Sequence, residues 1–290
     1  MNNNLSLKIK NLPSISDVIK KYNLSAKKKY SQNYLMDLNL IDKIIKLSGS
    51  IDSTDIIEIG PGPGNLTRAI LANNAKRIIV IEKDIRFITA LNDIKKIANN
   101  KLIILNEDAL KIKYSDIFKK YHISNAHIIS NLPYSISTKL LLKWIPIPIQ
   151  INQLTLMFQK EMAERIVAKV GSKKYGRLSV IAGIMTDSKI IMHIPSRVFK
   201  PEPKIDSSVI IFKPKKNTKI FFKIEILEEV TKILFSKRRK QVKTSLKYFG
   251  DPEELCRLMD VKSSTRPEQI PLESYKKLAI EITKRRQLQI

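Results

Sequence analysis

Four consecutive residues near the middle of the chain, Asn131-Leu132-Pro133-Tyr134, carry groups that could hold a purine base. They follow an apolar run, residues 126–130, that is typical of a buried strand. The amide of Asn131 has a carbonyl acceptor for an exocyclic amine, and Tyr134 offers a flat ring on which a base can stack. Pro133 biases Leu132 toward an extended backbone, which directs a second carbonyl group. The tetrad predicts a site for an extruded adenine, and a strand-to-loop turn with a buried tyrosine is the alternative interpretation.

A glycine-rich turn lies earlier in the chain. Residues 55–66 read Asp-Ile-Ile-Glu-Ile-Gly-Pro-Gly-Pro-Gly-Asn-Leu, an apolar strand that leads through Gly60, Gly62 and Gly64 into the start of a helix. Such glycines let the backbone turn sharply and approach a ligand closely. The spacing differs from that of dinucleotide-binding loops, and Glu58 precedes the glycines, where a carboxylate suits the cationic groups of S-adenosylmethionine. A tight strand-to-helix turn with no ligand is the alternative.

Polar residues also end the next two predicted strands. Glu82 follows strand 77–81 and could hold a ribose diol. Asp108 follows strand 101–105 and could accept from the adenine amino group of a cofactor, although a helix cap would explain it as well. Because ligands bind at the carboxyl edge of an open α/β sheet, these residues and Asn131 predict one cofactor site.

Several further motifs occur in a distinctive order. They are the segments 27–35, 58–62, 131–138, 159–161, 175–180 and 199–207, of which the first reads Lys-Lys-Lys-Tyr-Ser-Gln-Asn-Tyr-Leu. In these motifs the chain resembles the bacterial small-subunit (16S) rRNA adenine N6,N6-dimethyltransferases of the kasugamycin-resistance type. The resemblance extends from about Lys27 to Tyr275.

The resemblance implies a fold, a reaction and additional site residues. The expected reaction is the S-adenosylmethionine-dependent dimethylation of two adjacent adenosines in the 3′-terminal hairpin of 16S rRNA, within an immature 30S subunit. The resemblance also implies that Gln32, Asn33 and Leu35 close over the cofactor. It further implies that Phe199 stacks on the target base opposite Tyr134, whereas Phe199 considered alone would be interpreted as a core residue.

Three positions depart from the pattern of the family. Ser31 replaces the usual glycine, so the backbone there is less free. Lys243 and Thr244 replace an Arg-Asn pair in the basic C-terminal segment. None of these departures touches the proposed chemistry, but they leave the contacts of that segment open.

The charge of the chain favours a polyanionic partner. The 290 residues carry a formal net charge of +26, from 53 basic and 27 acidic residues. Neutralisation of phosphates and release of counterions would follow from such an excess, although an AT-rich genome would also enrich lysine. We expect RNA contacts at two basic segments, which comprise Lys27, Lys28 and Lys29 and then Lys237, Arg238, Arg239 and Lys240.

Composition also argues against several classes of protein. The single cysteine, Cys256, excludes a disulfide framework, and the three histidines show no metal-ligand spacing, so we expect no metal. No apolar run of membrane-spanning length and no signal-peptide core occur. We therefore expect a soluble, cytoplasmic protein that acts as a monomer.

The pattern of elements predicts an α/β fold. Strand and helix signals alternate to about residue 170, which is typical of a Rossmann-like class I methyltransferase core with a mainly parallel sheet. After Pro214 only helical periodicity remains, in segments 224–235, 239–249, 252–259 and 272–284. The predicted division is a loosely ordered basic segment 1–26, a methyltransferase core 27–214 and a helical, RNA- or ribosome-binding domain 215–290.

Other functions remain as alternatives. The nearest is a large-subunit rRNA adenine methyltransferase of the macrolide-resistance type, which shares the tetrad. A DNA adenine methyltransferase is less favoured because no target-recognition domain is recognisable, and a nicotinamide-dependent oxidoreductase is remote. From another class, the protein could act chiefly as a ribosome-assembly factor in which methylation is secondary.

Overall fold

The structure, a computed structural model, describes residues 2–26, 32–215 and 221–288. Its strands are β1 (Tyr34–Leu35), β2 (Asp55–Ile59), β3 (Arg77–Ile81), β4 (Leu102–Leu105), β5 (Ala126–Asn131), β6 (Ile151–Gln159), β7 (Thr186–Ile194), β8 (Phe199–Lys200) and β9 (Ser207–Pro214). Seven of them form one sheet in the order β4-β3-β2-β5-β6-β9-β7, and β1 pairs with β8 separately. The neighbours from β4 to β6 are parallel, whereas β9 runs antiparallel to β6. The predicted α/β class with a mainly parallel sheet is confirmed.

The central strands are buried along almost their whole length because both faces of the sheet are covered. All five residues of β2 are buried, as are the last four of β3. Parallel strands covered by helices on both faces read as continuous hydrophobic runs, which explains why isoleucine and valine dominate here. The carboxyl ends of β2, β3, β4 and β5 consequently lie side by side at one edge, and this edge positions the predicted site.

The helices follow the strands in alternation and then dominate the C-terminal part. They are α1 (Asn2–Lys10), α2 (Ile15–Lys21), α3 (Leu38–Leu47), α4 (Asn65–Ala72), α5 (Arg86–Ala98), α6 (Tyr114–Lys120), α7 (Tyr134–Lys143), α8 (Lys160–Ile166), α9 (Arg177–Met185), α10 (Ile224–Ser236), α11 (Lys243–Leu246), α12 (Pro252–Met259) and α13 (Leu272–Gln287). Short 3-10 turns occur at Asn99–Lys101, Ser196–Val198 and Pro267–Gln269.

The N-terminal segment is more ordered than the sequence led us to expect. Residues 1–26 were predicted to be loosely held, but α1 packs against α4 and α5, and α2 begins at a Ser14 cap. Ile9, Val18 and Leu24 are buried in the core around the sheet. The physical reason is an apolar stripe that recurs at helical spacing within a polar segment, which the overall composition conceals.

The chain divides into two compact units, and their boundary differs from the predicted one. One unit comprises residues 1–163 and 189–213, and the other comprises residues 164–188 and 214–290. The prediction assigned all of residues 27–214 to the core. It did not anticipate that α9 packs against α10 and α13, where a methyl group added at Gly183 would come within 2.8 Å of Leu272. The α9 region therefore belongs by its packing to the helical unit.

The basic segment before α12 contains less helix than predicted. A helix was expected over residues 239–249, but only α11 forms. The backbone N–H of Val242 donates to the carbonyl of Thr265 at 2.7 Å instead of to a carbonyl one turn earlier. This long-range bond takes the chain out of helical geometry just before the two departures, Lys243 and Thr244, which lie exposed at the start of α11.

Candidate active site

A cavity of about 300 Å³ opens at the carboxyl edge of the sheet, within the first unit. Its wall includes every residue that the sequence assigned to cofactor binding and the four residues of the tetrad. These are Gln32, Asn33, Leu35, Glu58, Gly60, Gly62, Glu82, Asp108, Asn131, Leu132, Pro133 and Tyr134. The fold therefore brings together segments that lie up to about a hundred residues apart in the chain.

The glycine turn and the tetrad are in direct contact. Gly60 has a φ of +65°, and a methyl group added there would lie 3.5 Å from the ring of Pro133. Gly62 has a φ of +55°, and a methyl group added there would lie 3.5 Å from the ring of Tyr34. Only glycine adopts such backbone angles without strain. The turn thus leaves space between itself and the tetrad that side chains would otherwise fill.

Glu82 forms part of the turn as well as of the cavity wall. Its carboxylate accepts from the backbone N–H of Gly62 at 3.2 Å and from that of Asp84 at 2.8 Å. Burial raises the pKa of Glu82 to about 7, against the lowering effect of these N–H donors. The contact with a ribose that we predicted for Glu82 would therefore be made by a group already oriented by the backbone.

Glu58 is the more deeply buried of the two carboxyl groups. Its side chain is 1% exposed and accepts from the hydroxyl of Thr67 at 2.6 Å. Burial raises the pKa of Glu58 to about 8, and the nearby Glu82 adds to this effect. A cation bound in the cavity would favour the ionised form of both groups, so the lining fits a positively charged ligand.

Asp84 is a wall residue that the sequence analysis missed. Arg86 binds its carboxylate with nitrogen–oxygen distances from 2.6 Å, and Gln32 donates to it at 3.2 Å. The Arg86 guanidinium lowers the pKa of Asp84 to about 2. Arg86 also donates to the carbonyl of Ser25 at 3.1 Å, so the pair holds the chain on both sides of residues 27–31. The feature of the sequence that could have identified Asp84 is an acidic residue two positions after Glu82.

Asp108 lies at the mouth of the cavity. Lys83 donates to it at 2.9 Å, and the backbone N–H of Leu110 donates at 3.0 Å. The Lys83 ammonium lowers the pKa of Asp108, so the carboxylate is ionised and can accept from a ligand. The bond to Leu110 closes a turn and does not cap a helix, because α6 begins only at Tyr114.

A hydrogen bond to the backbone orients the side chain of Asn131. Its nitrogen, Nδ2, donates to the carbonyl of Asn33 at 3.2 Å. With the nitrogen used in this way, the oxygen Oδ1 is the end of the amide that is left to accept from a ligand. The contact also links the tetrad to the segment before β1.

The remaining tetrad residues form the corner between β5 and α7. Pro133 is the residue before α7, and Tyr134 is its first residue. The Tyr134 hydroxyl bonds to that of Ser207 at 2.6 Å, and burial raises the pKa of this tyrosine. Ser207 is fully buried, so it fixes the ring direction from the neighbouring strand β9.

The structure places Phe199 away from the cavity wall. Phe199 is 4% exposed and belongs to the hydrophobic core, where it pairs with Leu35 through the β1–β8 ladder. Leu35, its partner in this ladder, belongs to the same core and also lines the cavity. That Phe199 stacks on a base opposite Tyr134 stays a prediction.

The residues that we predicted to contact RNA differ in their surroundings in the structure. Lys27, Lys28 and Lys29 lie outside the described residues, as does Ser31. Lys237, Arg239 and Lys240 are exposed in the second unit. Arg238 is half-buried there, donates to the carbonyl of Lys173 at 2.7 Å and lies 3.6 Å from the carboxylate of Glu268. Its guanidinium thus links two segments of the protein, and with 39% of the side chain exposed its contact with phosphate stays a prediction.

Within residues 2–26, 32–215 and 221–288, no group of three or more His, Cys, Asp and Glu side chains could hold a metal ion. Over the same ranges, no helix has both the length and the apolar character needed to cross a membrane.

Comparison with known sequences identifies similar proteins over nearly the whole chain. A family model described as "Ribosomal RNA adenine dimethylase" matches residues 23–284. A protein of Cereibacter sphaeroides named "Ribosomal RNA small subunit methyltransferase A" is 42% identical over 274 residues, which are 93% of this chain and 97% of that protein. A protein of Xanthobacter autotrophicus with the same name is 41% identical over 272 residues, which are 92% and 93% of the two chains.

Solved structures with a similar fold include two RNA-modifying enzymes. A dimethyladenosine transferase from Plasmodium falciparum superposes with a TM-score of 0.71 at 25% identity, over 86% of this chain and 96% of that one. The 23S rRNA methyltransferase ErmE superposes with a TM-score of 0.65 at 21% identity, over 87% and 99% of the two chains. The second likeness concerns the fold alone.

Proposed function

The chain belongs to the ribosomal RNA adenine dimethylase family, and from this premise we propose that it dimethylates the N6 amines of two adjacent adenosines in the 3′-terminal hairpin of small-subunit rRNA. The methyl donor is S-adenosylmethionine. The observation that carries the proposal is the contact between Gly60 and Pro133, because it puts the predicted donor site and the predicted base site on one cavity.

The residues of the cavity fit this donor. Its sulfonium and amino groups are cationic, and Glu58 and Glu82 supply buried carboxyl groups beside the glycine turn. Asp108 would accept from the adenine amino group, and Gln32, Asn33 and Leu35, which line the same cavity, would close over the donor. When bound, the donor supplies an electrophilic methyl group, so the protein has only to position the two reactants.

Asn131 and Leu132 would activate the target amine. The exocyclic nitrogen of adenine is a poor nucleophile because its lone pair is delocalised into the ring. The oxygen Oδ1 of Asn131 and the backbone carbonyl of Leu132 would accept from its two hydrogens and so favour a pyramidal nitrogen with a localised lone pair. Acceptors that are aimed at developing positive charge stabilise the transition state more than the ground state. The methylated nitrogen is acidic enough to lose its proton to water, so no dedicated base is needed.

The base must leave its stack to reach this corner, which is easiest in a hairpin loop. Tyr134 would then stack on one face, a contact that contributes roughly 1 to 3 kcal/mol. Its ring is held in place by the bond to Ser207. As the resemblance implies, Phe199, which is buried in the structure, would stack on the other face.

The substrate would be the rRNA within an immature small subunit, bound by a monomer. The printed names of the relatives refer to the small subunit, and the exposed residues Lys237, Arg239 and Lys240 give the helical unit a surface for phosphate. The large-subunit alternative has only a likeness of fold behind it. A role in subunit assembly could accompany methylation.

Transfer of tritiated methyl groups tests the proposal. Purified small subunits that lack the modification are incubated with the protein and labelled S-adenosylmethionine, and the RNA is then digested to nucleosides. We expect N6,N6-dimethyladenosine at two adjacent positions of the 3′-terminal hairpin. Label that enters only large-subunit RNA, or only another position, would contradict the proposal.

The variant Asn131→Ala separates catalysis from binding. It removes one acceptor, so we expect transfer to fall by about 100-fold or more while the affinity for the subunit stays the same. Asn152→Ala is the matched control, because Asn152 is exposed and bonds only to Asn125 among the described residues. Loss of subunit binding in the Asn131 variant would argue against the role of this residue.

A further inference from the structure

Asn65 is a cavity residue that neither the glycine motif nor the tetrad includes. It is the first residue of α4, directly after Gly64, and its side chain is 6% exposed. The nitrogen Nδ2 donates to the carbonyl of Leu35 at 2.5 Å. Asn65 and Asn131 therefore hold the same wall segment, through the carbonyls of Leu35 and Asn33 respectively.

The oxygen of this side chain has no partner. Oδ1 of Asn65 is buried and receives no hydrogen bond from the residues that the structure describes. Turning the amide over would place Oδ1 against the carbonyl of Leu35, acceptor against acceptor, so the orientation is determined by that contact. A buried acceptor without a donor costs about 1 to 3 kcal/mol and calls for an explanation.

The order of the strands indicates which donor this oxygen would meet. Along the sheet edge, Asp108 follows β4, Glu82 follows β3 and the glycine turn follows β2. If these hold the adenine, the ribose and the sulfonium in turn, the amino-acid end of the donor lies at the glycine turn, whose last glycine directly precedes Asn65. That end carries an ammonium group with three N–H donors. Thr67, two residues further on α4, bonds the carboxyl group of Glu58, which a bound cation would favour in its ionised form.

We propose that Oδ1 of Asn65 accepts a hydrogen bond from the amino group of S-adenosylmethionine, while its nitrogen holds the wall at Leu35. This inference rests on the proposed function and adds to it a residue that recognises the amino-acid part of the donor. Asn65 distinguishes ligands that carry the amine from nucleosides that lack it.

Calorimetric binding to four ligands tests the inference. S-adenosylmethionine, S-adenosylhomocysteine and decarboxylated S-adenosylmethionine all carry the amine, whereas 5′-methylthioadenosine does not. For Asn65→Ala we expect affinity for the first three ligands to fall by about 10-fold to 100-fold, the usual effect of a hydrogen bond to a charged group. Affinity for 5′-methylthioadenosine should fall by a clearly smaller factor, because this ligand loses only the support of the wall at Leu35 and no bond to Oδ1.

Two further variants separate recognition of the amine from support of the cavity wall at Leu35. Asn65→Asp keeps an acceptor but loses the donor to Leu35, so it should bind the three amines much more tightly than the alanine variant. Asn73→Ala is the matched control, because Asn73 lies at the other end of α4 and bonds to Ala69 at 2.8 Å. An equal loss for all four ligands, or no loss for any, would overturn the inference. Wild-type protein that bound none of the four would instead contradict the proposed function.

Discussion

The burial of Glu58 beside the glycine turn makes the stability of the protein depend on pH. Glu58 is 1% exposed, and its pKa rises from an ordinary 4.5 to about 8 in the folded chain. The unfolded chain loses this proton once the pH exceeds about 4.5, whereas the folded chain keeps it until about 8. Between these values the folded state binds more protons, so the free energy of unfolding falls as the pH rises, by about 1.4 kcal/mol for each unit of pKa difference at most.

Glu58→Gln should remove much of this pH dependence. Glutamine keeps an acceptor for Thr67 but does not titrate, so the variant should be the more stable protein at pH 8 and close to the wild type near pH 4. The measurement is urea-induced unfolding at several pH values. Glu273→Gln serves as control, because the Glu273 side chain is 68% exposed. Parallel pH curves for the wild type and the Glu58 variant would show that Glu58 is ionised in the folded protein.

At the scale of elements, the junction of β2 and α4 depends on the last glycine of the turn. Gly64 has a φ of +93°, and a methyl group added there would lie 2.4 Å from Cδ1 of Ile94. Ile94 is fully buried in α5, so its side chain cannot simply turn away. The glycine therefore permits both the left-handed turn and the close approach of this turn to Ile94 in α5.

Gly64→Ala should destabilise the protein in two ways. The left-handed backbone costs about 1 to 2 kcal/mol with a side chain present, and overpacking against Ile94 adds about 1 to 3 kcal/mol. Gly49→Ala is the matched control, because Gly49 has a φ of +89° but no atom within 4 Å of the added methyl group. Urea unfolding should show the larger loss for Gly64→Ala. Equal losses of stability in the two variants would mean that Ile94 moves aside at no cost in free energy.

At the scale of the whole molecule, the net charge of +26 makes any binding to RNA sensitive to salt. Within segment 237–240, the basic residues differ in how much of the side chain is available to bind phosphate. Arg238 is occupied by Lys173 and Glu268, whereas Lys237, Arg239 and Lys240 are exposed. The distribution of charge, and not its sum, should decide affinity.

Replacing Lys237, Arg239 and Lys240 together by glutamine should flatten the salt dependence of binding to small subunits. The slope of log affinity against log salt should fall by up to roughly one for each lost phosphate contact. Filter binding at several KCl concentrations and constant Mg²⁺ measures it. A control variant removes the same charge from exposed residues of the other unit, Lys95, Lys113 and Lys119. Equal slopes for the two variants would show that the salt dependence of binding follows the total charge and not the position of these three residues.

The sequence by itself determined the class of fold, the polar residues that end successive strands, and the family. These features are local, because a buried strand, a glycine turn and a tetrad are each written in a few adjacent residues. The β3 strand and the α12 helix have the bounds that their periodicity predicted. The carboxyl edge of a parallel sheet then brings Glu58, Glu82 and Asn131 to one cavity, as the alternation of strands and helices implied.

Only the tertiary structure decided what side chains meet across long separations. The sequence did not indicate that Arg238 bonds to Lys173 or that Phe199 lies opposite Leu35, because these partners are far away in the chain. The same is true of the α9 region, whose packing with α10 and α13 assigns it to the helical unit. Asn65 acquires its significance from Leu35, thirty residues earlier. Hydrogen bonds and packing depend on distances in space, and periodicity along the chain records only the local part of them.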